Sequence, residues 1–511
     1  MAILEAIPWG NPQFTAAFVI FSSVVAYRLT RPRSTLPTPK ESLPIIGSTY
    51  AYVGSVRRKN FYKYLMEQQD LLGPMWSLDV LGASLYVMSD PKEARRLLTD
   101  TENFYRDEAF QTACKGITQY SLFLLPSGPQ WKHHRKLIQP AFAPNNIRKV
   151  VPASIKHTDK LMAILADMLA KNPRAEADLH DCFQRLTLDI IGEVALGGHQ
   201  FQSVDALIPE KAPKENMFHA FEQLIQMVGD RFSLPEWTWG FINSTLKDSA
   251  APSKMLHDLA DNIRQKRQAE LDAETAAGIV RDKKDYDVLD RILIPNAEGE
   301  LLSDENIVDE IIGFILAGHE TSSNTVTALF MHLMNYPQTM QKLIDEIDSV
   351  LGPHGEPTMD SLKDLKYLDN VFKESIRLKS PVNAMARTTL HETVICGHHI
   401  PAKAPVLIHI AHLQQDPMYW GSDAKDFIPE RWNDKQKMME LESIGAYMPF
   451  GAGGMMCVGF KLAITEIKII VIRFLQQYKP ALRPGQDHSW TVDGLTSGYR
   501  QGVFATFTPR A

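Results

Sequence analysis

Near the C-terminus the stretch PFGAGGMMCVGF sets one cysteine, Cys457, among Gly451, Gly453, Gly454 and Gly459. Glycine has no side chain, so these positions let the backbone approach something bulky or take a positive φ. Immediately afterwards Phe460, Ala463, Ile464, Ile467, Ile470, Val471 and Phe474 recur at helical spacing. Cys457 therefore stands just ahead of a buried helix, where unpaired N–H groups and the positive dipole end favour a thiolate over a thiol. A thiolate presented by a glycine loop suits the axial ligand of one metal carried in a flat cofactor, of which haem iron is an example. An inert buried cysteine in a glycine turn fits the same residues, and Met448, Met455 and Met456 leave a soft copper(I) site open.

Three other stretches carry candidate chemistry. In GFILAGHETSSNTV, Ile311, Ile312, Ile315 and Leu316 give a helix an apolar side, then Gly318 removes bulk and Glu320 and Thr321 bring an acid and a hydroxyl. A threonine inside a helix can bond back to its own backbone and open a notch, and an acid beside it is what proton delivery to a bound ligand needs. A solvated polar face is the plainer account of Glu320. In KESIRLKSP, Glu374 and Arg377 share a helix face, and Arg431 of the downstream PERW could join them as a buried charge network. In WKHHRK, Trp131 and Arg135 lie one turn apart, placing an indole N–H and a guanidinium to meet one anion such as a haem propionate. A basic surface helix explains the same residues, and His133 and His134 are expected to be solvated.

The elements that must position these residues are mostly helical. Ile155–Leu169, Phe183–Leu196, Asp304–Asn335 and Phe460–Tyr478 follow helical periodicity. Asp304 and Glu305 suit the first turn of the third segment and Pro337 stops it. Strand-like runs are short, near 84–90, near 393–400 and in GVFATFT at the C-terminus. The charge-rich stretch from Arg267 to Glu300 is expected to be a surface connection. No internal repeat splits the body. The four cysteines, Cys114, Cys182, Cys396 and Cys457, are scattered, which excludes a disulfide framework and a structural zinc cluster and fits a reducing, cytosol-facing setting. A formal charge of −6 without a long basic block speaks against a nucleic-acid partner.

The N-terminus differs in character. FTAAFVIFSSVVAY, residues 14–27, is apolar, shorter than the roughly 20 residues of a full span, and followed by Arg28, Arg31, Arg33 and Lys40. Residues 1–29 are expected to be a membrane anchor with the following chain on the cytoplasmic side. A cleaved signal peptide and a buried N-terminal helix are the other readings. Pro32, Pro37, Pro39 and Pro44 make residues 30–47 a basic, proline-rich hinge before a body spanning 48–511.

Taken together, the set resembles the cytochrome P-450 superfamily of haem-thiolate monooxygenases. Phe450-x-x-Gly453-x-x-x-Cys457-x-Gly459 is similar to that family's haem-binding signature. Ala317-Gly318-His319-Glu320-Thr321 looks like its oxygen-activation motif, Glu374-x-x-Arg377 with Pro429-Glu430-Arg431 like its charge triad, and Trp131-x-x-x-Arg135 like its propionate-binding helix. The motifs occur in family order across roughly Pro44 to Thr508, and the anchor and hinge look like those of microsomal members. The resemblance implies a mainly α fold with a minor β region, holding haem b between a long central helix and the cysteine loop. Cys457 would then be the iron ligand. Phe450 would shield its sulfur, with Gly451, Gly453 and Gly459 wrapping the porphyrin. Trp131, Arg135 and Arg387 would hold the propionates, and Ala317 and Gly318 would make room for oxygen. Thr321 with Glu320 would deliver protons, while Glu374, Arg377 and Arg431 would be structural. One departure is Met455, which stands where the family usually has Arg or His and puts one propionate contact in doubt.

The activity so implied is insertion of one atom of O2 into a lipophilic small molecule, with a steroid or other terpenoid favoured over a fatty acid. A haem-thiolate isomerase or dehydratase, or a non-enzymatic haem sensor, are the other functions, and the acid–threonine pair argues against the isomerase. No flavin or dinucleotide fingerprint is evident, so electrons would come from an NADPH-dependent reductase, with cytochrome b5 as a further donor. The donor would dock where Lys132, Lys136, Lys461 and Lys468 supply positive charge. The resemblance places the protein in the endoplasmic reticulum membrane with its body on the cytosolic face. Phe110, Tyr120, Phe123 and Phe314 are candidates for an apolar substrate pocket and equally for core packing.

Overall fold

Ser303 begins the longest helix by accepting a hydrogen bond from the Asn306 N–H. Asp304 and Glu305 complement the dipole in the first turn, and the helix runs over Asp304–Asn335 before Pro337 opens the next one. Its 32 residues rise about 48 Å at 1.5 Å each. Nearly every face is buried from Ile307 to Met334, so this helix is the axis of the body. The computed structural model describes residues 36–510, apart from 44–45, 59, 81–82, 144–146, 212–216, 233–235, 237–238, 240–249, 283–285, 494–495 and 500.

Two helices fix the axis in place. Leu179–Ala195 starts at Asp178, whose carboxylate accepts from the His180 N–H, and lies against the central helix. The two approach closely at Gly318, where a Cβ would come within 2.8 Å of the Ile191 side chain. Phe460–Gln477, which follows the cysteine loop, packs on Val150–Lys171 and on the central helix. Phe183, Phe330 and Phe474, one from each of these helices, meet with ring centroids 4.7–6.0 Å apart at the centre of the largest hydrophobic cluster. Each such side chain contributes roughly 1.5–3 kcal/mol through burial.

The β structure is peripheral. A five-stranded sheet has the spatial order Met75–Val80, Ala83–Met88, Pro405–Ile408, Met385–Thr389, Phe104–Tyr105, parallel only between Ala83–Met88 and Pro405–Ile408. Smaller sheets pair Thr491–Asp493 with Thr496–Gly498, and join Phe504–Pro509 to Tyr478–Leu482 and Ala177–Asp178. The fold is mainly α with a minor β region, as the sequence implies.

Several expectations change. The run near 393–400 is a hairpin of Thr393–Ile395 and His398–Ile400, because the chain turns at Cys396 and Gly397, both with positive φ. The charge-rich stretch is a surface connection only in part, at exposed residues 275–280 and 297–299. Its first part continues the helix Ala250–Ala276, and Val288–Leu293 forms a buried helix carrying Asp290. Arg267 Nε donates to Asp290 at 2.8 Å and Arg281 Nη1 at 2.9 Å. The anchor at 1–29 and the first part of the hinge lie outside the described residues. Leu36 is buried and Ser77 N–H donates to Pro37 O at 2.9 Å, so the end of the hinge rests on the body. Among the described residues, no helix is long and apolar enough to cross a membrane.

Candidate functional site: a cysteine loop facing an opening in the central helix

The cysteine loop is closed by its own backbone, with Cys457 N–H donating to Phe450 O at 3.0 Å and Met456 N–H to Gly453 O at 3.1 Å. Gly451 and Gly453 take φ of +77° and +71°, a region that L residues avoid. At Gly453 a Cβ would lie 2.6 Å from Leu98 O, so the turn also needs bare backbone. Gly454 and Gly459 have ordinary φ, and a Cβ on either would make only van der Waals contact, with Trp131 and Phe142 respectively.

Cys457 is exposed although protein surrounds it densely enough for burial to push its thiol pKa up, against the Gly459 N–H and the Arg135 charge. Such reachable surface within surrounding protein is where a chamber for a bound group would lie. The helix terminus alone therefore does not make a thiolate here. A bound cation is what would offset the burial cost.

The central helix opens in its middle. Between buried Leu316 and His319, Ala317 is exposed and Gly318 half-buried, and Thr321, just beyond, is half-buried too. Thr321 Oγ1 donates to Ala317 O at 2.7 Å, the back-bond expected of a mid-helix threonine. Ser323, Thr325 and Thr327 donate likewise to Glu320 O, Thr321 O and Ser323 O. Glu320 is buried, so the solvated account of it fails. The room at Gly318 is taken by Ile191; that glycine serves helix packing, and Ala317 is the residue beside open space. Two contacts tie this helix to the cysteine segment. Ser322 Oγ donates to Glu466 Oε2 at 3.1 Å, and Phe142 lies between Phe314, at 6.2 Å between rings, and the position of Gly459.

The structure brings the expected cationic residues to the same loop. Arg135 Nη1 donates to Met456 O at 3.0 Å. The Trp131 ring edge would lie 3.6 Å from a Cβ at Gly454. Arg387 belongs to the strand Met385–Thr389, whose first residue abuts Gly451. Arg387 is buried and donates to Ala386 O, and burial pushes its pKa down to about 10. Sequence reasoning missed Arg106, close enough to Arg387 for mutual repulsion to add to the burial that lowers its pKa to about 9. Its Nε donates to Leu125 O at 2.8 Å and Nη1 to Phe123 O at 2.9 Å. Among the described residues no carboxylate pairs with either arginine. Buried cations without anions fit a group that brings its own carboxylates, as haem does. Met455 S instead lies 3.6 Å from Ser127 Oγ, which accepts from Arg106 N–H. The copper alternative loses a ligand, because Met448 packs in the separate cluster around Trp420 and Trp432.

Behind the loop the charge triad is fully formed. Glu374 accepts from Arg377 Nε and Nη2 at 2.8 Å each, Arg431 Nε at 2.8 Å, Trp432 Nε1 at 2.9 Å and Ile428 N–H at 3.1 Å. Arg377 also donates to Gln414 O and Ala424 O. Gln414 Oε1 in turn accepts from Met448 N–H at 3.1 Å, two residues before Phe450. The triad thus fixes where the cysteine loop begins.

Other expectations are corrected. His134 is buried and its Nδ1 lies 2.6 Å from Glu310 Oε1, whereas His133 is half-buried. Lys468 is buried and donates to Asp369 at 2.7 Å, and Lys136 pairs with Glu300, which leaves Lys132 and Lys461 as the exposed lysines of the four without an acid partner among the described residues. Phe110, on the short helix Ala109–Ala113, meets Phe123 of the loop before the Trp131 helix edge-to-face at 5.9 Å, while Phe314 packs on Phe142.

Comparison with known proteins agrees with this geometry. The family model described as "Cytochrome P450" matches residues 37–496. The chain is 28% identical over 405 residues to "Cytochrome P450 734A1" of Arabidopsis thaliana, covering 79% of this chain and 75% of that protein. It is 26% identical over 493 residues to "Cytochrome P450 4d2" of Drosophila melanogaster, covering 93% and 94%. It is also 26% identical over 485 residues to "Protein LUTEIN DEFICIENT 5, chloroplastic" of Arabidopsis thaliana, covering 92% and 78%.

Proposed function

Since the chain belongs to the cytochrome P450 family, a haem-thiolate monooxygenase using O2 and reductase-delivered electrons, we propose that it hydroxylates a lipophilic small molecule, a steroid or other terpenoid before a fatty acid. The observation that carries this reading is the opening at Ala317 and Thr321 in an otherwise buried helix. Haem b held by a cysteine thiolate supplies O–O bond cleavage and oxygen insertion when bound.

The protein's own residues bind, orient and move protons around it. Cys457 would hold the iron through its sulfur, with the Gly459 N–H favouring the thiolate. Phe450, half-buried and 6.0 Å from the Phe460 ring, keeps water from the sulfur. Trp131, Arg135 and Arg387 would hold the cofactor carboxylates, and Arg106 would supply charge where Met455 cannot. Thr321 spends its proton on Ala317 O, so its oxygen faces the chamber as an acceptor, and Glu320 is the acid that restores protons along this path. Phe110 and Phe123 give the chamber an apolar wall.

Residues 1–29 anchor the chain in the endoplasmic reticulum membrane with the body on the cytosolic face. The reductase, and cytochrome b5 as a second donor, dock at Lys132 and Lys461. An absorption titration of the purified haem protein with steroids, terpenoids and fatty acids tests the substrate class. A terpenoid that shifts the spin state, and yields product only with NADPH, reductase and O2 together, supports the reading. A shift and product with fatty acids alone would overturn the preference.

A further inference from the structure

The loop that precedes the Trp131 helix has its backbone bonded by side chains to an unusual degree, and the bonds divide by sign. Its N–H groups go to two buried carboxylates of the central helix. Asp309 Oδ2 accepts from Gln119 N–H at 2.9 Å and Tyr120 N–H at 2.8 Å, and Glu310 Oε1 accepts from Leu122 N–H at 2.8 Å. Its carbonyls go to donors. Arg106 takes Leu122 O, Phe123 O and Leu125 O, Arg231 takes Lys115 O at 2.8 Å, and His257 Nε2 takes Ile117 O at 2.6 Å.

Each of these bonds satisfies a backbone group that would be costly to leave unpaired in the interior. A loop held by several of them has one position rather than a range of them. The helix is shaped to receive it. At Gly313, one turn beyond Asp309, a Cβ would lie 2.7 Å from Ser121 Cβ and 3.3 Å from the Phe123 ring. Gly313 precedes Ala317 by four residues and Thr321 by eight, roughly 6 Å and 12 Å along the axis. The clamp therefore ends about one turn from the opening. His134, on the Trp131 helix, holds Glu310 from the other side at 2.6 Å, so the same carboxyl ties the loop, the central helix and the Trp131 helix.

We propose that Asp309 and Glu310 are positioning residues that set the shape of the substrate chamber by fixing residues 119–123 over it. They act on what enters and how it sits, and leave cofactor binding unchanged. The proposal rests on the reading that this chamber holds haem with its open side toward Ala317.

The test uses the haem-loaded protein and two azoles that ligate haem iron, imidazole and 4-phenylimidazole, read by the absorption shift on binding. Asp309→Asn and Glu310→Gln keep the side-chain shape and replace one acceptor oxygen by an N–H donor group, and Glu305→Gln, exposed in the first turn, is the control. In each clamp variant the ratio of the two dissociation constants is expected to change at least tenfold. Imidazole affinity, the reduced-CO spectrum and the control should stay within twofold of the parent. The proposal is overturned if both azoles shift together, if neither shifts, or if the clamp variants fail to retain haem, since the carboxylates would then serve the fold as a whole. An absent thiolate-type CO band in the parent protein would instead refute the haem-thiolate reading itself.

Discussion

Glu466 lies on the helix that follows Cys457, buried, with Oε2 accepting from Ser322 Oγ at 3.1 Å and Oε1 without a partner among the described residues. Burial pushes its carboxyl from 4.5 up to about 8. A folded-state pKa above the unfolded one means that the folded protein holds the proton more tightly. The resulting stabilisation is full below about pH 4.5 and is lost as the pH rises to about 8. Its total is about 3.5 × 1.36, or roughly 5 kcal/mol. Glu466→Gln keeps the shape and the bond to Ser322 but cannot ionise. The stability difference between parent and variant is therefore expected to fall by about 1.4 kcal/mol per pH unit, or about 2.7 kcal/mol between pH 5.5 and 7.5, and to level off above about 8. Urea unfolding of both haem-loaded proteins, followed by the haem absorption, measures it, and subtraction cancels every other titrating group. Parallel stability curves for the two proteins would refute the reasoning.

Three further outcomes follow from the site. Glu374→Gln leaves Arg377 buried without a counter-charge, while Arg431 keeps Asp423 at 3.4 Å, and should cost about 3–5 kcal/mol in urea unfolding and most of the haem-loaded yield. Arg387→Leu removes a buried cation that has no acid partner among the described residues; the apoprotein should become more stable while transfer of haem to an acceptor protein quickens about 10- to 100-fold, the loss of one charged hydrogen bond. Thr321→Ala should leave the reduced-CO spectrum intact and lower product formed per NADPH by about 10²-fold, the lower end of what a proton-handling group contributes.

What was legible in the sequence is what local chemistry determines. Asp304 and Glu305 suit the first turn of the central helix and Pro337 follows its end, and each acts within a few residues of itself. The Thr321 back-bond spans one turn of the same helix. The four motifs could be placed because their residues carry a pattern whatever surrounds them. What escaped depends on partners far along the chain. His134 reads as a solvated histidine until Glu310, 176 residues later, reaches it. Asp290 reads as surface charge until Arg267 and Arg281 neutralise it in the interior. Gly318 reads as space beside a ligand, yet only the fold reveals that Ile191 fills it. Arg106 sits unremarkably in FYRDEAF, and its lack of an acid partner among the described residues is a tertiary fact. The thiolate expected at Cys457 followed from a helix terminus, which is local, and burial outweighs it.

The central claim is that Cys457, as a thiolate, holds haem iron in the chamber beside Ala317 and Thr321. Its most direct test is the absorption spectrum of the purified, haem-loaded protein after reduction and addition of CO. The account predicts the red-shifted band of a thiolate-ligated haem, absent in Cys457→Ser even where haem is retained. A well-folded, haem-loaded parent protein giving only the band of a histidine- or thiol-ligated haem, or a Cys457→Ser variant giving the parent spectrum, would contradict it.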